Sequence, residues 1–546
     1  GAVGERGDPS WDVRRSLVYT AVTRRMSIRQ DVLLLVLLMV ITMSPFLGPL
    51  LQGESISLAS FLYNDSLYHS ARPKDYERAV RLLPYQEATI DTARLFYPYD
   101  IYSAERIPQG HLPLWNPYNG AGMPLLANFQ SSSFSPLKLI LVLFPSMRAY
   151  DYYLLMRLLC AACFAYILAR ALKRSPQASF LTGVTYGLAG YLLYHFQMVE
   201  VTSSCYAPLQ FLAAERWTQN PGSRTSVFLG MTTAIMVLSG HPEPSALIIL
   251  GSMIYAFARA LRLRGLKVWT TTALGLFGAM ALGLLISAFV ILPFFEFLHY
   301  GFSYKFYMKV RLPLFLIFLY QLPFVFVPMK TPVTHGPGTY VGLVSLALAF
   351  FALLPRKRNY EVILILLIPL GMAFAMPPMS LVWWIPHFDL SWSGYSLPLF
   401  ALGMALLAGE GLDFFTLLPK ADRYLRNIGI VFFLVLIIFP LLMAGMAGLD
   451  FSLAFPLVFK AFWRQYVLAL AIVAYAVILM RWKKSVPAWA KRWALPALAC
   501  IDLLSSGWGY NLSRPGFDFP LTPAVDFLKS HLGHSRICLL YTSPSP

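Results

Sequence analysis

The chain has 546 residues, of which 57% are hydrophobic and 13% are charged, and its formal net charge is +18. Its mean hydropathy of +0.59 excludes an ordinary soluble globular protein, and continuous apolar runs without period-2 alternation argue against a β-barrel. Because Lys and Arg cluster in short connections between apolar runs, the positive charge indicates cytoplasmic loops and no nucleic-acid partner. These features predict an all-α, polytopic transmembrane helix bundle.

In chain order, the apolar runs predict about thirteen spans, since most of them approach the roughly 20 residues that cross a bilayer. Their approximate limits are 32–51, 149–170, 176–195, 203–217, 225–240, 244–261, 269–297, 339–354, 361–377, 396–412, 428–447, 465–481 and 490–508. The bundle therefore occupies 32–508, after an N-terminal segment at 1–31. We expect residues 509–537 to begin a truncated extracytoplasmic region, and we set aside 538–546, which resemble translated adapter sequence.

The distribution of charge gives this bundle a direction. The N-terminal segment is rich in arginine and is predicted to be cytoplasmic. If the first span leads outward, the even-numbered connections should be basic. Six of them are: Lys173/Arg174, Arg216/Arg224, Arg262/Arg264/Lys267, 356–358, Lys420/Arg423/Arg426 and 481–492. This agreement predicts a multi-pass protein with its N-terminus in the cytoplasm.

The predicted external connections differ in character. The first, 52–148, is the longest, and its mixed polar and aromatic sequence predicts a folded loop. The connection 298–338 contains an apolar run, 312–328, that three prolines interrupt, which predicts an interfacial or re-entrant helix. Residues 378–395 form an aromatic loop suited to the membrane surface.

Two aspartates of the first external loop are candidate catalytic residues. Asp91 and Asp100 flank the aromatic stretch 96–99. A carboxylate that lies among apolar groups just outside the membrane has a raised pKa and can act as a general base. The alternative for each is an ordinary solvated or helix-capping aspartate.

The stretch LPLWNPYNGAGMPLLAN, residues 112–128, is rigid and uncharged although it lies in a predicted external loop. Its prolines and glycines predict a backbone fixed in one path, so that the stretch is mainly structural. Trp115 can anchor it at the membrane interface, and Asn116 can hydrogen-bond to backbone or to sugar hydroxyls. We expect the stretch to hold the Asp91 segment over the mouth of the bundle.

Further polar residues fall on the same predicted face. The turn SGHPEPS, 239–245, presents His241 and Glu243, which could bind phosphate, orient a substrate or transfer a proton. The alternative is a polar turn in which proline ends one helix and starts the next. Three other residues of this face are His195, Gln197 and Glu200.

Candidate cations could neutralise a phosphate at this face. Arg157 lies within the second span, where a charge is costly unless it meets a cavity or a partner. Glu296 ends the seventh span, and the external residues Lys305, Lys309 and Arg311 follow it. These three would suit an anionic phosphate. Binding of lipid headgroups is an equal alternative for them.

No P-loop, G-x-S-x-G, H-E-x-x-H or Rossmann motif occurs in the sequence. The chain therefore encodes no recognisable ATP-driven machinery. Any reaction must use a substrate that is already activated, or the protein is a transporter or a scaffold.

The order of these motifs resembles the YfhO family of bacterial membrane proteins, within the broad GT-C type of integral-membrane glycosyltransferases. The resemblance covers nearly the whole chain, and the WNP loop followed by the GHP turn is its most specific combination. The residues that carry it are Asp91, 96–98, Gly110, 113–117, 122–124, 127–128, Gln130, 136–137, 239–243, Pro293, Glu296, 340–343, Asp502 and 510–511.

The resemblance implies a glycosyltransferase of the bacterial cytoplasmic (inner) membrane that uses a polyprenyl-phosphate sugar as donor. Its acceptor would be an envelope polymer or glycolipid on the extracytoplasmic face, and membrane lipids would surround it. GT-C enzymes carry an essential acidic residue in the first external loop, and Asp91 matches that position best. Some GT-C enzymes use a divalent metal and others do not; because this loop lacks a tight carboxylate cluster, we expect no metal and no other cofactor, with a divalent metal as the alternative. A flippase of an envelope glycolipid and a non-catalytic assembly scaffold are the rival functions.

Overall fold

The structure is a computed structural model that describes residues 28–57, 67–71, 91–119, 122–265, 269–300, 338–353, 360–373, 376, 381, 393–417, 421–446, 451–482, 485–507 and 520–531. Within these residues the chain is almost entirely helical. A single two-stranded antiparallel sheet interrupts the helices of the first external loop. The predicted interfacial helix at 312–328 and most of the aromatic loop 378–395 lie outside the described residues.

We number the helices in chain order. Their bounds are α1 (Ile28–Leu51), α2 (Tyr97–Arg106), α3 (Leu139–Leu143), α4 (Met147–Ala171), α5 (Pro176–Gly187), α6 (Gly190–Tyr194), α7 (Glu200–Gln219), α8 (Ser223–Leu238), α9 (Pro242–Arg264), α10 (Trp269–Ile286), α11 (Ala288–Tyr300), α12 (Leu343–Ala352), α13 (Tyr360–Ala373), α14 (Leu397–Leu417), α15 (Ala421–Met446), α16 (Phe451–Trp482), α17 (Ala488–Gly507) and α18 (Pro523–His531). The strands are β1 (Trp115–Asn116) and β2 (Met123–Pro124), and a π-helical turn, Thr92–Phe96, leads into α2.

Every predicted span contains a helix, so the prediction of an all-α bundle is confirmed. Among the residues that the structure describes, six helices are long and apolar enough to cross a membrane by length and composition, namely α1, α4, α9, α10, α14 and α16. The chain is therefore a polytopic helical membrane protein. Several of the other helices, such as α8, α11 and α12, are apolar but shorter, and α5, α7 and α12 are extensively buried between other helices.

Two predicted spans are each divided into two helices. The span 176–195 breaks between α5 and α6, where the Gly190 amide donates to the Tyr340 carbonyl at 2.7 Å. The span 269–297 breaks at Ser287, whose hydroxyl donates to the Gly283 carbonyl at 2.9 Å. In both places a hydrogen bond outside the regular helix pattern accompanies the break.

Small residues allow the central helices to approach closely, as is usual for helices packed within a membrane. α4 packs against α1, α5 and α7, and Ala162 on α4 is fully buried. A Cβ added to Gly187 of α5 would lie only 2.6 Å from the Ala162 Cβ. Any larger side chain at either position would separate the two helices.

A buried aspartate joins the end of the chain to the centre of the bundle. Asp502 on α17 accepts a hydrogen bond from the Leu343 amide at 2.6 Å and from the Tyr340 hydroxyl. These bonds satisfy the free amino end of α12, just after Gly342, whose φ is +87°. The stretch 340–343 and Asp502, which both carry the family resemblance, therefore form one structural unit.

Candidate active site

The predicted external end of the bundle carries a group of carboxylates that we call the acidic mouth, defined by Asp91, Glu200 and Glu243. Asp91 is exposed and begins the helical stretch that continues into α2. The next residue, Thr92, donates from its hydroxyl to the Gln197 carbonyl at 3.1 Å. These contacts place Asp91 beside the turn 195–199, which connects α6 to α7.

The environment of Asp91 favours the neutral carboxyl group more than water does. The surrounding protein partly desolvates the carboxylate and raises its pKa above the ordinary value of 3.8, while Arg94 opposes that rise. Asp91 makes no ion pair with any residue that the structure describes. A carboxylate with a raised pKa and no fixed counter-ion can accept a proton from a hydroxyl group.

Glu200 is the member of the mouth to which the sequence assigned no role. It is the first residue of α7, it is only 7% exposed, and Arg157, Glu243 and Asp91 all act on it electrostatically. It makes no ion pair within the described part of the chain, and its place at a helix amino end favours a negative charge. The sequence signal for Glu200 is a charged residue at the start of a helix. The proximity of Glu200 to Asp91 depends on tertiary packing, which that signal does not show.

The turn that contains His241 and Glu243 packs against the first external loop. Gly240 has a φ of +106°, and a Cβ added there would lie 2.4 Å from the Ser132 Cβ. His241 is buried, precedes α9 and contacts the Tyr395 ring at a centroid distance of 4.6 Å. Glu243 lies in the first turn of α9. The predicted Pro-bounded turn is confirmed, and glycine permits its close approach to the loop.

Arg157 holds the turn 195–199 from inside the bundle. Its side chain is fully buried, and its guanidinium donates to the Met198 carbonyl at 2.7 Å and to the Phe196 carbonyl. The Tyr153 ring lies below it at 5.0 Å. The partners expected for a buried cation are therefore backbone carbonyls and an aromatic ring, and no described carboxylate pairs with it directly.

His195 belongs to the same turn and is also buried. Its Nδ1 lies 3.0 Å from the Tyr191 carbonyl oxygen, and its ring is 4.3 Å from the Tyr191 ring. His195 therefore lies in the turn 195–199, which is beside Asp91. Its predicted role in substrate binding stays a prediction.

Asp100, the second predicted catalytic carboxylate, has a different environment from Asp91. It is 3% exposed and forms a buried ion pair with Lys138, which also donates to the Ser131 carbonyl at 2.8 Å. Burial raises the pKa of Asp100, and the Lys138 ammonium opposes the rise. A catalytic role for Asp100 stays a prediction and requires the ion pair to open.

The two predicted residues of the WNP stretch face in different directions. Trp115 is 51% exposed, and its indole ring lies so close to Gly122 that an added Cβ would approach it to 2.7 Å. Asn116 is buried, and its Oδ1 accepts from the Tyr118 amide at 2.9 Å. This hydrogen bond indicates a structural role for Asn116, while Trp115 is free to meet a membrane surface.

The remaining predicted site residues are not joined to the mouth by any described contact. Glu296 is exposed on α11, a helix that packs against the first loop through Phe294 and Phe129, whose ring centroids are 4.4 Å apart. Lys305 and Arg311 lie outside the described residues. In the described part of the chain, no group of three or more His, Cys, Asp or Glu residues could hold a metal ion, and metal independence stays a prediction.

Comparison with known proteins gives structural neighbours only. The structure is similar to two crystal structures of ArnT from Cupriavidus metallidurans, one bound to undecaprenyl phosphate and one in the apo state. Both have a TM-score of 0.40 and 14% sequence identity, and each comparison covers 76% of this chain and 70% or 71% of the ArnT chain. No protein-family model and no curated protein sequence matches the chain.

Proposed function

We propose that the protein is an inverting glycosyltransferase of the bacterial cytoplasmic membrane. It transfers a sugar from a polyprenyl-phosphate donor to an envelope polymer or glycolipid on the extracytoplasmic face, with Asp91 as the general base. The observation that supports this function most directly is the acidic mouth. Asp91 has a raised pKa and no ion pair, and it shares its electrostatic environment with Glu200.

The proposed reaction is a single displacement at the anomeric carbon. The acceptor hydroxyl gives its proton to Asp91 as its oxygen forms the new bond to the anomeric carbon. The bond between that carbon and the phosphate oxygen breaks, and its electron pair leaves with the polyprenyl phosphate. Because attack and departure occur on opposite faces of the sugar, one such step inverts the anomeric configuration.

The other predicted residues are proposed to bind the donor, to bind the acceptor or to position the site. Lys305 and Arg311 are proposed to neutralise the donor phosphate, and Glu296 precedes them on the chain. His241 and Glu243 are proposed to orient the acceptor. Arg157 is proposed to act as a positioning residue, because its guanidinium is bonded to the carbonyls of the turn beside Asp91.

The function is tested with the full chain in lipid nanodiscs, supplied with synthetic undecaprenyl-phosphate hexoses and an envelope extract as acceptor. We expect the wild type to release undecaprenyl phosphate, and Asp91→Asn to lower that rate by a factor of about 10² to 10⁴. The control is Asp526→Asn, which changes an exposed aspartate on α18 and should keep the wild-type rate. A normal rate for Asp91→Asn would remove Asp91 as the base.

A flippase is the second candidate, because the helix pairs α5/α6 and α10/α11 are discontinuous, as helices of transporters often are. The two functions separate in vesicles loaded with a fluorescent glycolipid. Movement of the glycolipid between leaflets without sugar transfer from any donor would favour the flippase. Sugar transfer that depends on Asp91 would favour the enzyme.

A further inference from the structure

The end of the bundle opposite the mouth contains a cavity of about 680 Å³, which we call the basic pocket. It lies where α4, α7 and α9 end and where α13 begins. Its charged lining residues are Lys173, Arg174, Arg259, Arg264, Glu215 and Glu361. The cavity is within the size range of pockets that bind small molecules or lipid headgroups.

The basic pocket is separate from the acidic mouth. α7 begins at the mouth with Glu200 and reaches the pocket at Gln219. Its 20 residues extend over roughly 30 Å, since an α-helix rises about 1.5 Å per residue. The two sites therefore lie on opposite sides of the bundle and cannot share one ligand headgroup.

Both carboxylates of the pocket are already neutralised by neighbouring arginines. Glu215 is fully buried and accepts from Arg259 at 3.1 Å and from the Tyr255 hydroxyl at 2.7 Å. Glu361 accepts from Arg262 at 2.8 Å and lies 3.6 Å from the guanidinium of Arg259. These acids stabilise the wall of the pocket and leave little negative charge to repel an anion.

Two cations of the pocket have no such compensation. Lys173 and Arg264 make no ion pair with any carboxylate that the structure describes. Arg264 donates to the Thr218 carbonyl and lies 5.8 Å above the Trp217 ring, which orders its guanidinium. A guanidinium held in place and an exposed ammonium that line the same cavity suit the oxygens of a phosphate group.

The backbone of Lys173 fixes where this residue meets the pocket. Its φ is +62°, in the left-handed region, directly after the last residues of α4. Glycine or asparagine is the usual residue at this position, because a larger L-residue is strained there. The Lys173 and Arg174 amides donate to the Arg170 and Ala169 carbonyls at 3.0 Å each, which closes the end of α4 in this conformation. Lys173, which is exposed, lines the pocket directly after this cap.

We propose that the basic pocket binds the phosphate of an anionic ligand, with Lys173 and Arg264 as its charged partners. The ligand is either the headgroup of an anionic lipid or a soluble phosphate ester, since both present the same chemistry to the two cations. This site does not depend on the proposed glycosyltransferase activity, and it uses none of the residues of the acidic mouth.

The lipid arm of the test is native mass spectrometry of the full chain in detergent with equal amounts of phosphatidylglycerol and phosphatidylcholine. The soluble arm is titration calorimetry with inorganic phosphate and glycerol 3-phosphate. We expect Lys173→Asn to weaken binding about tenfold through loss of one charge-assisted contact. Lys173→Arg should retain it. The control Arg216→Gln removes an exposed cation of the same end that does not line the pocket.

Preference for phosphatidylglycerol that Lys173→Asn abolishes would support the site and identify a lipid headgroup. Binding of a soluble phosphate alone, with the same dependence on Lys173, would support it and identify a soluble ligand. The proposal is overturned if the wild type binds neither class of probe. It is also overturned if Lys173→Asn binds like the wild type, or if Arg216→Gln loses binding equally.

Discussion

The two ends of the bundle use carboxylates in opposite ways. At the basic pocket, Glu215 and Glu361 are both held by arginines. At the acidic mouth, Asp91 and Glu200 make no ion pair within the described residues, although Arg157 and Arg94 are close enough to act on them electrostatically. Paired carboxylates support the fold, whereas an unpaired carboxylate remains available for a proton or a substrate.

The same contrast occurs within the first external loop. Asp100 is buried and paired with Lys138, while Asp91, nine residues earlier in the sequence, is exposed and unpaired. Both residues are aspartates, so their identity alone gives them the same chemistry. The difference in pairing predicts different roles for the two residues.

The largest effect on stability is expected from breaking the ion pairs at the basic pocket. Glu215→Ala leaves Arg259 without its main partner, and we expect a loss of about 3 kcal/mol in the free energy of unfolding. Thermal unfolding in detergent measures this loss. Glu105→Ala, at an exposed position on α2, is the control and should change stability by less than about 0.5 kcal/mol. Equal stability of the two variants would contradict a structural role for Glu215.

A smaller loss of stability is expected from a substitution at Gly240, where the turn before α9 packs against Ser132 of the first loop. Gly240→Ala places a Cβ 2.4 Å from Ser132 at a φ of +106°, and we expect it to cost about 2 kcal/mol and to lower transfer by displacing His241. The control is Gly222→Ala, where the backbone is extended and nothing lies within 4 Å of the added Cβ. Comparable unfolding temperatures would show that the close packing at Gly240 is unimportant.

The raised pKa of Asp91 predicts the direction of the pH dependence. A general base must be ionised, so transfer should fall as the pH drops through the pKa of Asp91, by about tenfold per pH unit below it. The midpoint should lie above the ordinary value of 3.8. A pH–rate profile with saturating donor measures this midpoint, and Asp91→Glu should move it. A profile that is identical in the two proteins would assign the titration to another group.

The smallest effect concerns the rim of the basic pocket. Lys173→Asn relieves a lysine of its left-handed backbone and should raise the free energy of unfolding by about 0.5 kcal/mol. Lys173→Gln removes the same charge without this relief and should leave stability unchanged. A lower stability of the Asn variant than of the Gln variant would show that the backbone of Lys173 is not strained.

The sequence predicts the bundle well because apolar length alone determines where helices can cross a membrane. It also locates the turn at His241, since proline fixes the start of α9. The breaks at 188–189 and at Ser287 were not predictable. The first is accompanied by a hydrogen bond from Gly190 to Tyr340, which is far away in the chain.

The site was predicted only in part, for a similar reason. Asp91 and Glu200 are identifiable as charges near the ends of apolar runs, but only packing brings them together. The ion pair between Asp100 and Lys138, 38 residues apart, has no sequence signal. Arg157 was expected to need a partner inside the membrane, and the carbonyls of the turn 195–199 provide it.

The difference between Asp91 and Asp100 is central to the proposed mechanism, and the most direct measurement compares Asp91→Asn and Asp100→Asn in parallel. Both variants are scored for sugar transfer per folded molecule and for thermal unfolding. We predict that Asp91→Asn keeps the wild-type unfolding temperature and loses transfer. Asp100→Asn should lose about 3 kcal/mol of stability by stranding Lys138, yet retain transfer in the molecules that stay folded. The reverse pattern, with full transfer in Asp91→Asn and none in folded Asp100→Asn, would contradict the account.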